Sequence, residues 1–198
     1  MKKLILCSYL LMVGHVCFAQ PQAAIDYVSL YKTCDSLNGL KKIAALDKGL
    51  TQQLNQIDKK TPYHFFAEAL YFIDQNQFQE AAIFFHVGLV RQNYYIGVNN
   101  NYAPNEDWQY AESMKSISAK KLIPFLQSNA DNYLQVLKVA IEYCEKNDYD
   151  FSSKLNYPDK YQNAINKLKD LQADILKNKE QFKKDWEAER ARLLAKKV

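Results

Sequence analysis

Residues 61–93 read TPYHFFAEALYFIDQNQFQEAAIFFHVGLVRQN, and this stretch decides the fold class. Thr61-Pro62 marks a helix start, because a threonine oxygen can cap free amides and a proline at the first helical position has no amide to satisfy. A helix from Pro62 to about Asp74 follows. The polar run Asp74-Gln75-Asn76-Gln77 makes a tight turn, and a second helix extends from Phe78 to about Tyr94. Across the pair, Phe65, Ala69, Phe72, Ala81, Phe85 and Gly88 alternate large and small side chains at helical spacing. The small residues Ala81 and Gly88 admit the facing aromatic rings, so the two helices can pack closely and antiparallel.

Helical periodicity extends in both directions from this hairpin. Upstream, Ala24, Ile25, Val28, Tyr31 and Leu37 place a helix over Pro21 to Leu37, stopped by Asn38-Gly39. Ile43, Leu46, Leu50, Leu54 and Ile57 predict another over Leu40 to Ile57, weakened at Gly49. Downstream, Asn93 to Asp107 carries Gly97, three consecutive asparagines and Pro104, and reads as a surface loop. Helix resumes at Trp108, breaks near Ser128-Asn129, and continues through the stripe Tyr133, Val136, Leu137, Ala140, Ile141 and Cys144. After a polar and aromatic connection over Asn147 to Pro158, Tyr161, Ile165, Leu168, Leu171, Ile175, Phe182 and Trp186 predict one helix of roughly 35 residues, about 50 Å long. Its part beyond Asn178 is mostly charged and reads as a solvated end, 178–198. The fold class is all-α: a helical bundle with a long amphipathic C-terminal helix.

The spacing over Pro62 to Asn93 resembles a tetratricopeptide repeat, a helix-turn-helix unit of about 34 residues. Asn93 stands where that family closes with proline, and no second copy lies at the repeat offset on either side. The resemblance therefore implies one repeat-like hairpin inside a bundle, not a solenoid. The segment Ala81 to Arg91, with the asparagine-rich loop after it, is similar to a stretch of exported helical bacterial proteins that pair an aromatic helix with an arginine-ending turn. Some of those families are regarded as immunity proteins against delivered toxins, and the resemblance implies such a role without transferring any catalytic residue.

The chain start carries a targeting signal. Lys2-Lys3, the apolar run Leu4 to Val13 and the tail Cys17-Phe18-Ala19 follow the order of a secretory signal peptide, with cleavage after Ala19. An apolar run of roughly ten residues is half of what a bilayer span requires, so no transmembrane anchor is expected. Gly14-His15-Val16 before Cys17 matches a lipoprotein signal poorly, and soluble export is preferred over lipid anchoring at Cys17. Residues 20–198 then form a single domain in the periplasm or outside the cell.

Composition narrows the function classes. Removing residues 1–19 takes away two lysines and no acidic residue, lowering the net charge from +4 to +2. Both signs are mixed along the chain, unlike the clustered basic footprint of a nucleic-acid binder. With 14 Tyr, 10 Phe and only five Gly and five Pro, the chain can build a core and is not disordered. Cys34 and Cys144 remain as an even pair in an oxidising compartment. They either form a disulfide closing a loop of about 110 residues, worth roughly 4–5 kcal/mol at best, or lie as two buried thiols.

Catalytic material is sparse. His64, Glu68 and His86 are the one grouping with metal-ligand character, and three or four convergent ligands with an outer shell are what zinc requires. No metal and no cofactor is expected. Glu106 and Asp107 are adjacent carboxylates in a loop, a setting more typical of a solvated turn than of an acid and base pair. No nucleophile setting or phosphate loop is present, and the reading is non-enzymatic. The candidate binding surface is instead Tyr94, Tyr95, Asn99, Asn100, Asn101, Tyr102, Trp108 and Tyr110, residue types that give large contact area and adaptable hydrogen bonds. The leading expectation is an exported protein that binds an unidentified protein partner, of immunity or inhibitor type. The alternative is a glycan-binding or cell-wall-associated module using the same loop. Oligomeric state is left open by the sequence.

Overall fold

The computed structural model describes residues 25–39, 45–102 and 105–195. The stretch read as a signal peptide, Cys17 and the segment 40–44 lie outside the described residues. Eight helices and no strand are present among the described residues: α1 Tyr27–Gly39, α2 Lys48–Ile57, α3 Tyr63–Asp74, α4 Phe78–Val98, α5 Glu106–Ser128, α6 Ala130–Lys146, α7 Pro158–Lys177 and α8 Lys179–Ala195. The all-α bundle is as the periodicity predicts. No helix among them is long and apolar enough to cross a membrane.

Helix α4 is the axle of the bundle. Its run AAIFFHVGLV is apolar on every side, as expected of a helix surrounded by others, and it packs against α3, α5, α6 and α7. Thirteen of its residues are buried, Arg91 and Gln92 among them. The crossing of α3 and α4 is set at Gly88: a Cβ there would lie 2.7 Å from Phe65 Cβ and 3.1 Å from Phe66 Cε1. No side chain larger than hydrogen fits without moving α3.

The turn between these helices is closed by Asn76, whose φ is +58°. The Gln77 amide donates to the Phe72 carbonyl at 2.8 Å and the Asn76 amide to Ile73 at 2.9 Å. This is the left-handed C-terminal closure usually built with glycine and sometimes with asparagine. At the other end of α3, the Thr61 hydroxyl is turned to His64 Nδ1, 3.3 Å away, and caps no helix amide.

Four elements differ from their expected bounds. Helix α1 starts at Tyr27 rather than Pro21, with the Asp26 carboxylate accepting from the Ser29 amide at 3.1 Å, and runs through Gly39 rather than stopping at Leu37. Helix α2 starts at Lys48 rather than Leu40, because the Asp47 carboxylate accepts from the Leu50 amide at 2.7 Å and fixes the first turn there; Gly49 then falls in that turn, outside the helix interior. Helix α4 continues to Val98, through residues expected to be loop. Burial of Tyr94, with its hydroxyl donating to the Ser153 carbonyl at 2.7 Å, keeps the chain helical past Gly97.

The expected single C-terminal helix is interrupted at Asn178. The interruption lets α8 lie back on the bundle, burying Phe182, Trp186 and Leu193. Its charged residues face out, and Arg190 forms a two-pronged bond to Asp35 on α1, at 2.7 and 3.1 Å. The segment after 178 is thus a packed helix with one apolar line, and not a free solvated end. Between α5 and α6 the expected break occurs at Asn129, whose side chain accepts from the amides of Asp131 and Asn132.

Candidate functional site

The start of α3, the end of α4, the start of α5, the end of α6 and the start of α7 meet at one end of the bundle. Contacts between Tyr63 and Tyr110, Phe65 and Tyr149, Tyr94 and Ser153, and Lys160 and Gly97 join them. At its centre is Arg91, fully buried in α4. Its Nε and Nη2 donate to the Asp58 carboxylate at 2.7 and 3.0 Å. Nη2 also donates to the Asp148 carbonyl at 3.1 Å, and Nη1 to the Tyr161 hydroxyl, which passes its own proton toward the Cys144 carbonyl at 2.7 Å. The rings of Tyr143, Tyr149 and Tyr161 surround the guanidinium, with centroids 5.2–5.9 Å from Cζ.

A buried charge requires this number of partners because desolvation otherwise removes it. Burial opposes the Arg91 charge, and the surrounding acceptors outweigh it, so the guanidinium holds its proton more tightly than in water. Burial likewise pushes the Asp58 carboxyl above its ordinary range, against the pull of Arg91 and of the Tyr143 hydroxyl 2.6 Å away. The pair is a structural clamp with both side chains buried.

The clamp holds the connection 147–157 in place. The Phe151 amide donates to the Asp58 carbonyl at 2.8 Å, and the Tyr149 hydroxyl to the Lys60 carbonyl at 2.9 Å. Within the connection, the Asp148 carboxylate accepts from the amides of Tyr149 and Lys154 and from the Ser153 hydroxyl. Partial burial opposes its ionisation, but the Ser153 hydroxyl and these two amides hold its pKa below the ordinary carboxylate range. What the connection presents outward is apolar: Leu155 is 79% exposed, Tyr157 49% and Phe151 38%, beside Ile96 at 37% on the last turn of α4.

The residues expected to form the binding surface divide between this end's interior and its exterior. Tyr94 and Tyr102 are buried. Tyr95 packs edge-on against Tyr102 and Phe151 and accepts a bond from Asn99 at 2.9 Å. Asn100, Asn101 and Tyr110 are exposed, and Trp108 is half-buried on the first turn of α5, whose Asn105 cap bonds the Trp108 amide. The surface that sequence reading missed is Ile96, Phe151, Leu155 and Tyr157. Its signal was an apolar and aromatic set inside a short connection ending at Pro158.

His86 is buried, with Nδ1 2.7 Å from the Ala82 carbonyl and Nε2 3.4 Å from the Tyr133 hydroxyl. His64 stacks on Tyr63. The two histidines are thus committed to different surroundings, and no group of three or more His, Cys, Asp or Glu among the described residues is placed to hold a metal ion. Cys34 and Cys144 are both free and buried, and burial raises their thiols to about 12 and about 11. Comparison with protein-family models, with curated proteins and with solved structures finds no match.

Proposed function

We propose that this chain is an exported, non-enzymatic protein that binds another protein in the periplasm or outside the cell through the clamped end of its bundle, an immunity-type or inhibitor role being its most concrete form. One observation carries the reading: Phe151, Leu155 and Tyr157 stand exposed on a connection whose backbone is pinned from beneath by Asp58, Arg91 and Asp148. A short irregular segment of this kind would ordinarily turn its apolar side chains inward or be mobile. Holding them outward in a fixed arrangement lowers the ordering cost of association, which is how rigid aromatic anchors gain affinity. Asn100 and Asn101, exposed in the turn that follows α4, and Tyr110, exposed on α5, offer hydrogen-bonding groups, and a polar rim around an apolar centre is the usual anatomy of an interface.

The test is affinity capture from envelope and secreted fractions, run in parallel with the parent protein and with Leu155→Asp and Tyr157→Ala. A stoichiometric partner retained by the parent and lost by Leu155→Asp, with the helical circular dichroism and melting temperature unchanged, supports the reading. A partner retained equally by all three proteins removes this face from the interface.

A further inference from the structure

A single residue joins α7 to α8. Asn178, with φ −115° and ψ 27°, leaves helical geometry between Lys177 and Lys179. Helical bonds nevertheless reach it from both sides: its amide donates to the Asp174 carbonyl at 3.0 Å, and its carbonyl accepts from the Phe182 amide at 3.0 Å. Among the described residues, no backbone bond joins the amides of Lys179, Glu180 and Gln181 to the carbonyls of Ile175, Leu176 and Lys177. The apolar line Leu168, Leu171, Ile175, Phe182 and Trp186 keeps its helical spacing across the interruption. Rotation at Asn178 alone would therefore make one helix over 158–195, complete the ladder with those three bonds and swing α8 off the bundle.

The attachments of α8 are modest. It buries Phe182, Trp186 and Leu193, and its ion pairs to other helices are Arg190 to Asp35 and Lys179 to Asp131, of the exposed kind that contributes little. Between α8, α1 and the α5–α6 junction runs a crevice of about 390 Å³. Tyr31 and Gln127 line it together with Lys183, Trp186 and Arg190 of α8, and Tyr31 Oη and Gln127 Oε1 are buried without a hydrogen-bond partner. Release of α8 returns both toward water and relieves that cost. A one-residue hinge inside a continuous helical pattern, next to a loosely filled seat, is the setting in which identical elements exchange between copies.

The seat itself names the occupant. Trp186 packs on Tyr133 of α6, and the Arg190 guanidinium carbon stands 4.7 Å from the centre of the Tyr31 ring while its nitrogens bond Asp35. Another copy of α8 presents that tryptophan and arginine in the same register. We propose that α8 is an exchangeable arm: two copies of this chain form a dimer in which α7 and α8 straighten into one helix and each α8 seats on the other copy's flank of α1, α5 and α6. This flank is separate from the clamped end, and the exchange does not depend on the protein-binding reading.

The experiment is sedimentation velocity of the purified protein from about 10 μM to about 1 mM, where a monomer–dimer equilibrium is expected. Asn178→Ala favours the straight helix at both hinges of the dimer and should tighten the equilibrium roughly tenfold, whereas Asn178→Gly should weaken it. A dimer of closed chains docked through their outer surfaces would not respond to the hinge. Exchange itself is read from a mixture. Asp35→Arg and Arg190→Asp each set like charges against one another, both within a chain and between two copies of the same variant. Mixed in equal amounts, they regain both ion pairs when each arm seats on the other chain, so the mixture should be several-fold more dimeric than either variant alone. Both side chains are partly exposed, so helical circular dichroism should be unchanged; should either variant unfold, the two Asn178 substitutions decide. No dimer in the parent or in Asn178→Ala up to about 1 mM overturns the proposal. So does a dimer indifferent to residue 178, and so does a mixture of folded variants no more dimeric than its parts.

Discussion

The hairpin of α3 and α4 and the clamped end beside it are held by opposite means. In the hairpin, Phe65 and Phe66 close on Gly88 with apolar atoms, and the contact is a matter of shape. At the clamped end one cation, one carboxylate and three tyrosines are buried together, and the contact is a matter of complete pairing. Shape can yield gradually as neighbours shift. A buried charge that loses its counter-charge has no graded response, which is why removing one member of such a pair costs more than the pair contributes.

The largest effect is accordingly expected at Arg91. Arg91→Met leaves Asp58 buried without its cation and should destabilise the fold by about 3–5 kcal/mol in urea unfolding. Combining it with Asp58→Leu should recover much of that loss, and a double variant no better than the single would break the contrast drawn here.

His86 tests the apolar half, since it is the one titratable group buried there on α4 facing Tyr133. Burial pushes its pKa down to about 4, with the Ala82 carbonyl pulling the other way. Between pH 6.5 and 4 the unfolded chain therefore binds more protons than the folded one, so stability should fall with acidification across that window, by at most about 3 kcal/mol, and be flat above it. His86→Gln should remove this contribution in unfolding measured from pH 4 to 7, leaving the slope that His64, also lowered by burial, and Asp58, raised by burial, supply.

Gly88→Ala places a methyl into Phe65 and should cost about 2 kcal/mol, an overpacking penalty partly offset by the better helix propensity of alanine. A neutral result in thermal unfolding would show that α3 slides freely on α4. The smallest effect is at Asn76, where the positive φ predicts about 1 kcal/mol lost in Asn76→Ala and a few tenths gained in Asn76→Gly.

The same contrast explains which parts could be read from the sequence. Thr61-Pro62, the polar turn at Asn76 and the break at Ser128-Asn129 are local signals, and the helices they bound are where those signals place them. Tyr95 to Val98 looked like loop because Gly97 and three asparagines follow, yet the carbonyl that anchors Tyr94 just before them belongs to Ser153, 59 residues away. The interruption at Asn178 has no proline or glycine to announce it. It is decided by the burial of Phe182 and Trp186 against distant helices. Arg91 was legible only as the end of an apolar run, because its partners Asp58, Asp148 and Tyr161 are scattered over a hundred residues. Of the candidate surface, the exposed asparagines and Tyr110 were readable, while Tyr94 and Tyr102 went to the interior.

The fold-back of α8 bears on the order in which the molecule assembles. Helix α1 packs on α5 and α8, and its ion pair to Arg190 joins residues 155 positions apart. The first of the described helices is thus among the last to find its place, since a contact this distant must overcome the entropy of closing a long loop. The flank where α1 and α8 meet is then the slowest part of the bundle to seal, and the first to reopen when its two ends are pulled apart.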